Sequence, residues 1–260
     1  SCSFIIHFKG GESGMQRLEG LVRRAIQEYG MLSPGDRVCV GVSGGKDSVA
    51  LTIALARLQK YLGIPFELVA VSLDPQFGGK PTDYTPLAGL FAAYGVQYEV
   101  RRSGIGHVVF DLRKEPNPCA LCAKMRRGLL HNTARELGCN KVALGHHLDD
   151  AIETFYMNLW GEGRLGCFSP VTYLSRKELY MIRPMVLATE ADVRRAVKSL
   201  SLPVVKSACP ADGATRRQEM KEYVAGACRA DRAFRQKMLG ALQQADLDGW
   251  APLPGAGRRG

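Results

Sequence analysis

Arg37-Val38-Cys39-Val40-Gly41-Val42 runs directly into Ser43-Gly44-Gly45-Lys46-Asp47-Ser48. The first six residues are an apolar run of strand length, and the glycine turn that breaks it opens a helix predicted from about Asp47 to Leu62, apolar on most sides. A strand that ends in glycines and hands over to a helix can point successive backbone N–H groups into one concavity. The helix N-terminus adds partial positive charge there. Ser43 and Ser48 offer hydroxyls, Lys46 offers a point charge, and Gly44, Gly45 and Asp47 complete the candidate phosphate cradle. Neither GxxxxGK[ST] nor GxGxxG fits the segment. Two adjacent glycines alone would be an ordinary turn, but the whole string at a strand-to-helix junction is more specific.

Strands and helices alternate outward from that junction. Further strands are predicted at Phe66–Leu73, Val96–Val100, Lys141–Gly145 and Leu179–Ile182, and helices at Thr85–Tyr94, Leu121–Leu137 and Asp149–Trp160. Thr189-Glu190-Ala191-Asp192 has the form of a capping box opening one more helix. Short apolar strands alternating with helices predict an α/β fold, a doubly wound parallel five-stranded sheet with helices on both faces. A short N-terminal helix (Met15 to Tyr29) precedes it and a helical C-terminal part follows. Ligands of such sheets bind at the carboxyl ends of the strands. The organisation expected is a disordered lead-in over 1–14, a nucleotide-binding domain with a CxxC insertion over 15–205, a third-cysteine loop with helices over 206–249, and a flexible tail over 250–260. Segments 164–176 and 207–215 read as loops.

Composition narrows the class. Of 260 residues, 46% are hydrophobic and 23% charged, ordinary globular values that exclude disorder, collagen and coiled coil. No stretch approaches the apolar length of a membrane span. The opening run Ser1 to Phe8 is short for a signal-peptide core and lacks a basic start, so a cytoplasmic location is expected. Thirty-five Lys and Arg against 25 Asp and Glu give a charge of +10. That surplus suits a polyanionic partner, with a basic enzyme lacking one as the alternative.

Eight cysteines in a reducing compartment point to metal or redox chemistry rather than disulfides. Cys119-Ala120-Leu121-Cys122 stands at a loop-to-helix junction ahead of a basic turn, where two sulfurs can reach one metal and the helix start favours thiolates. Cys209 lies in a polar loop, an unusual place for a buried structural cysteine. Cys39, Cys139, Cys228, Cys2 and Cys167 have weaker contexts and read as structural or incidental. Three thiolates are one short of the usual zinc site, and would leave one iron of a four-iron cluster without a protein ligand. Spacing alone does not separate iron from zinc.

Gly145-His146-His147-Leu148-Asp149-Asp150 closes the fourth predicted strand and opens a helix. Acidic residues in a first helical turn are stabilised by the dipole, which is their plain explanation. The strand end faces the same crevice as the glycine loop, which suggests more. Gly145 permits close backbone approach to a nucleotide, Asp150 can orient Mg²⁺ or take a proton, and Asp47 is a second candidate metal ligand.

SGGKDS resembles the pyrophosphatase loop of the ATP-pyrophosphatase superfamily. The ordered set goes further: SGGKDS, Pro116-Asn117-Pro118-Cys119-Ala120-Leu121-Cys122 with Arg126-Arg127-Gly128, GHHLDD, Arg183-Pro184, and Cys209 to Gly213 followed by Thr215-Arg216-Arg217. Together they resemble the tRNA 2-thiocytidine synthetase family and its thiouridine-forming relatives, over roughly Met15 to Ala227. The resemblance implies an enzyme that uses ATP, Mg²⁺ and a [4Fe-4S] cluster to adenylate a pyrimidine oxygen of tRNA and replace it with sulfur. It implies Cys119, Cys122 and Cys209 as cluster ligands, Ser43 to Ser48 and Gly145 as ATP-binding, and Asp47 and Asp150 as active-site acids. The family's proposed catalytic lysine falls on Arg126. An arginine is a poor proton shuttle, so Arg126 is read as an electrostatic or tRNA-phosphate group, and Arg126, Arg127, Arg216 and Arg217 are the candidate tRNA-binding residues. The terminal zinc-binding cysteine pairs of the thiouridine branch are absent from this sequence, and Ser207-Ala208-Cys209-Pro210 stands where better-known thiocytidine enzymes carry a second CxxC.

The implied reaction is thiolation at C2 of a tRNA pyrimidine, expected to be an anticodon-loop cytidine. The sulfur donor is a cysteine desulfurase or free sulfide, no membrane is involved, and a homodimer is compatible with the reading. Two rivals are an adenylating ligase of the same superfamily acting on a small molecule, and a cluster- or zinc-bearing nucleic-acid-binding regulator.

Overall fold

The structure is a computed structural model that describes residues 13–113, 118–206, 209 and 216–255; the side chains of Arg216 and Arg217 are outside the description. Helix α1 (Ser13–Glu28) is followed by β1 (Asp36–Val42), α2 (Lys46–Leu58), β2 (Phe66–Asp74), α3 (Thr85–Ala93) and β3 (Gln97–Arg102). A single turn, α4 (Ile105–His107), leads to α5 (Pro118–Glu136), β4 (Lys141–Ala143) and α6 (Leu148–Glu162). The chain finishes with β5 (Val171–Leu174), β6 (Leu179–Ile182), α7 (Glu190–Ser199), α8 (Arg216–Ala230) and α9 (Phe234–Gln244).

The sheet runs in the order β3-β2-β1-β4-β6-β5. All pairings are parallel except β5 with β6. Alternate residues of each strand face opposite layers. Val38, Val40, Val42, Leu68 and Ala70 join the core beneath α1, α2 and α7, while Cys39, Val69, Val71 and Val142 pack against Leu130 and Ala134 of α5. Both faces are therefore covered, and the doubly wound α/β expectation holds. From β1 the chain winds one way to β2 and β3, and the other way to β4 and β6. The turns after β1 and β4 therefore meet at the switch point.

The sequence reading missed one strand. β5 lies inside the segment expected to be a loop, and it makes the sheet six-stranded rather than five-stranded. It is a half-exposed edge strand, so it carries neither a continuous apolar run nor clean alternation.

Both ends also differ from expectation. Helix α1 begins at Ser13, inside the expected lead-in, whose residues 1–12 lie outside the described part. The tail expected from 250 onward is docked over 250–253: the Trp250 ring is fully buried, its indole N–H donates to the Phe168 carbonyl at 2.8 Å, and the Leu253 N–H donates to the Glu28 carbonyl at 2.8 Å. Proline and glycine content suggested fraying, but a buried indole of this size stabilises its position by about 3–5 kcal/mol. Residues 256–260, and the 207–215 loop apart from Cys209, lie outside the described part.

Candidate active site

The Ser43–Ser48 loop is closed by its own side chains. The Ser43 N–H donates to Ser48 Oγ (3.1 Å), Ser48 Oγ donates to the Gly45 carbonyl (3.0 Å), and the two hydroxyls lie 3.2 Å apart. Ser48 is buried, so its hydroxyl holds the turn. Gly44 sits at φ +88°, and a Cβ there would stand 3.0 Å from Cβ of Val205, whose N–H donates to the Gly44 carbonyl (2.9 Å). The strand of chain leading toward Cys209 is thereby fastened onto the loop.

Gly145 is packed the same way. A Cβ on it would meet the Asp47 carbonyl carbon at 3.0 Å and the Ser48 nitrogen at 3.1 Å. The sequence reading gave Gly145 a close approach to a nucleotide. In the structure the close approach is to the loop itself, so Gly145 sets where the loop sits.

Lys46 does not stand free. Its ammonium contacts Asp47 Oδ2 and Glu190 Oε1, each at 3.1 Å. Burial works against the charge, but Asp47 and Glu190 outweigh it and hold the Lys46 pKa above its ordinary value. Burial would likewise raise Glu190, yet Lys46, Lys221 and Arg194 bring it down to about 2. Glu190 also orders the turn through its backbone, because its N–H donates to Asp149 Oδ2 (2.8 Å). Asp149 is buried and paired with Arg235 at 2.6 Å, which makes it a structural tie.

Asp47 Oδ1 is buried, accepts no hydrogen bond, and lies 3.8 Å from His147 Nε2. His147 caps α6: its Nδ1 accepts the Asp150 N–H (3.3 Å), while the Asp150 carboxylate accepts the His147 N–H (2.9 Å). With Nδ1 an acceptor, the neutral ring carries its proton on Nε2, the nitrogen turned to Asp47. Asp150 thus fixes the His147 ring that stands beside Asp47, and the capping role that acidic residues take in a first helical turn is present. His146 behaves differently: it packs against Phe168 in a tilted arrangement (5.1 Å between centroids) and lines a cavity.

Two cavities flank the loop. One of 310 Å³ lies at the ends of β1, β2 and β4, with Leu73, Leu130, Leu144 and Arg127 among its walls. The other, of 590 Å³, is bounded by Lys46, Asp47, Phe77, Tyr84 and Lys206. Ser43 and Arg126 line both. Arg126 is therefore inside the site rather than on an outer face, while Arg127 is exposed at its rim. Arg216 and Arg217 open α8, and their side chains are outside the description.

The described cysteines form no disulfide. Cys119 is exposed at the start of α5, one turn from the buried Cys122. Burial pushes the Cys122 thiol up, Arg126 opposes this, and charge on Cys209 or Cys119 would add to the rise. Among the described residues no three His, Cys, Asp or Glu side chains converge on a single ion. A polynuclear cluster takes about one thiolate per iron and needs its ligands spread around it. An all-sulfur donor set beside a guanidinium fits such a cluster. The sequence motif holds His146 and His147 without assigning either a catalytic role. Glu190 and the lining aromatics Phe77 and Tyr84 escaped the sequence reading, and Glu190 in particular carries only a helix-start signal.

With this geometry in hand, likeness to known proteins is informative. The PP-loop domain family matches residues 17–226. The tRNA-cytidine(32) 2-sulfurtransferase of Syntrophotalea carbinolica is 36% identical over 87% of this chain and 88% of its own. That of Geobacter sulfurreducens is 32% identical over 87% of this chain and 89% of its own. In fold, the chain resembles the U34-tRNA thiolase NcsA from Methanococcus maripaludis, solved with its [4Fe-4S] cluster (TM-score 0.75, 24% identity, 90% of this chain and 79% of that one). The loop, the sheet order and the extent of shared sequence lead to one conclusion: the chain is an enzyme of the PP-loop domain family and belongs, within it, to the tRNA-cytidine 2-sulfurtransferases.

Proposed function

We propose that this protein thiolates tRNA at C2 of cytidine 32 in an ATP-dependent reaction. The base oxygen attacks the α-phosphorus of ATP, pyrophosphate leaves, and the oxygen becomes part of a good leaving group. A sulfur nucleophile then adds at C2, the C2–O bond breaks, and AMP departs with the original oxygen. The observation that carries this reading is that Arg126 lines both cavities beside the phosphate loop and acts on the Cys122 thiol, with the Val204–Lys206 segment on the wall of the larger cavity.

Each residue has a task in this scheme. The apolar cavity suits adenine, with the backbone N–H groups at the start of α2 taking the phosphates. Lys46 exchanges its carboxylate partners for phosphate oxygens. The buried, unpaired Oδ1 of Asp47 is suited to orient Mg²⁺ as pyrophosphate charge develops, and Asp150 keeps His147 in register beside it. Arg126 places a fixed positive charge between the two cavities, where the adenylated intermediate is most anionic. Cys119, Cys122 and Cys209 would hold the [4Fe-4S] cluster, which supplies an iron lacking a protein thiol where inorganic sulfur can bind. A cysteine desulfurase or free sulfide is the donor. Arg127, Arg216 and Arg217 are assigned to tRNA phosphates. Residues 15–205 form the nucleotide-binding unit, and 206–249 the part that presents Cys209.

Pyrophosphate release with and without tRNA, followed by mass spectrometry of the tRNA nucleosides, tests the reading. Wild type should release pyrophosphate with tRNA and yield 2-thiocytidine; Asp47→Ala should do neither while retaining its iron. Pyrophosphate release at the wild-type rate from Asp47→Ala would refute the role of that carboxylate.

A further inference from the structure

We infer that the 590 Å³ cavity is the pocket for the target pyrimidine, and that Phe77 is the platform on which the flipped-out base stacks. The inference rests on the thiolation reading above and adds to it the residues that receive the base.

The two cavities differ in chemistry. The smaller has mostly apolar walls at the strand ends, with Arg126 and Arg127 beside them, and is suited to a planar purine. The larger combines two aromatics, Phe77 and Tyr84, with the cations Lys46, Arg126 and Lys206. Aromatic surface beside positive charge is the recognition chemistry of an unpaired nucleotide, whose base stacks while its phosphate is neutralised. A volume of 590 Å³ exceeds what a polyphosphate lying along the loop requires and falls within the range of small-molecule pockets. Position agrees. Phe77 packs in one apolar cluster with Cys122 and Met125, so it borders the thiols on one side and the phosphate loop on the other.

The segment carrying Phe77 is preorganised. Asp74 at the end of β2 is fully buried, and its carboxylate accepts the Gln76 N–H (3.1 Å), the Thr82 N–H (3.0 Å) and the Thr82 hydroxyl (3.1 Å). One carboxylate thereby clamps both ends of the 76–82 loop. The Gly106 N–H donates to the Pro75 carbonyl at 2.8 Å, and a Cβ on Gly106 would stand 2.7 Å from that oxygen, so α4 lies directly against the loop. Phe110 meets the Phe77 ring edge-on at 5.7 Å. A half-buried phenylalanine on a loop tied by Asp74, by α4 and by Phe110 needs little further ordering to stack, which lowers the entropy cost.

The test uses tRNA transcripts carrying the fluorescent analogue pyrrolocytidine at position 32, with unmodified tRNA for activity. Wild type and Phe77→Tyr should quench the analogue on binding, and Phe77→Leu should not. A stacking contribution of about 1–3 kcal/mol predicts that Phe77→Leu lowers kcat/KM for tRNA by about 5- to 150-fold, with Phe77→Tyr restoring most of it. The Kd for ATP should stay within about twofold, because the adenine cavity is the other one. Equal quenching and equal kcat/KM in Phe77→Leu would overturn the pocket. So would a parallel loss of ATP affinity, which would move Phe77 to the adenine side. A wild type that binds ATP but neither quenches the analogue nor thiolates tRNA would overturn the functional reading, and the pocket with it.

Discussion

Replacing Glu190 with Gln removes a carboxylate that ties the phosphate loop to α7. The magnitude follows from its titration. A carboxyl brought from an ordinary 4.5 to about 2 carries about 3 kcal/mol of stability at neutral pH. Arg194, one of its partners, is 64% exposed, and solvent screening of that pair reduces the figure to about 2 kcal/mol. The sign is fixed by the direction of the shift. A depressed carboxyl stabilises the fold above its unfolded pKa and loses that contribution as pH falls through its folded one. Urea unfolding of wild type and Glu190→Gln should therefore differ by about 2 kcal/mol at pH 7, and the gap should shrink steadily below pH 4.5 toward pH 2. The Lys46 ammonium, freed of one partner, should bind ATP with altered affinity in the same protein, while iron content stays unchanged. A difference that is independent of pH between 7 and 3 would refute the reasoning, since only ionisation of Glu190 gives it this profile.

Gly145→Ala should cost about 1–3 kcal/mol and slow pyrophosphate release by about tenfold, because the added methyl meets loop backbone that cannot swing aside; a thermal melt and a release rate both equal to wild type would count against Gly145 as the loop's support. Neutralising Arg127 together with Arg216 and Arg217 should lower the slope of log affinity for tRNA against log salt by about one unit per lost phosphate contact, and an unaltered slope would return them to other roles. Cys209→Ser should keep the fold and ATP binding but hold little iron after anaerobic reconstitution. Normal iron in that variant would remove Cys209 from the ligand set, and stoichiometric zinc with full activity in wild type would remove the cluster.

The parts of this protein legible in its sequence are those whose cause is local. The strand Asp36–Val42, the SGGKDS turn and α2 follow from a short apolar run, adjacent glycines and a helical pattern. The Thr189 capping box closes on Asp192 as its three-residue spacing requires. The CxxC falls on the first turn of α5 for the same kind of reason. What escaped depends on neighbours supplied by another part of the chain. β5 is a strand because β6 offers an edge, although its own residues are half exposed. Trp250 is buried because Phe168, Tyr29 and Glu28 build a seat for the chain end, against a local composition that reads as a tail.

The site divides along the same line. Residue types and spacing were enough to nominate Asp47, Asp150, Gly145 and the three cysteines, but their mutual arrangement was decided by the winding of the sheet. Placing β1 and β4 side by side at the switch point presses Gly145 onto Asp47 and Ser48, turns His147 toward Asp47, and sets Glu190 on Lys46 across 144 positions of sequence. Arg126 shows the limit most clearly. Its sequence context is a basic helix turn suited to an outer surface, and only the packing of α5 over the strand ends puts it between the two cavities. A sequence fixes which groups a chain carries and where its backbone can turn, because those are short-range properties. Which groups face one another is settled by long-range packing, where burial of two sheet faces selects a single winding.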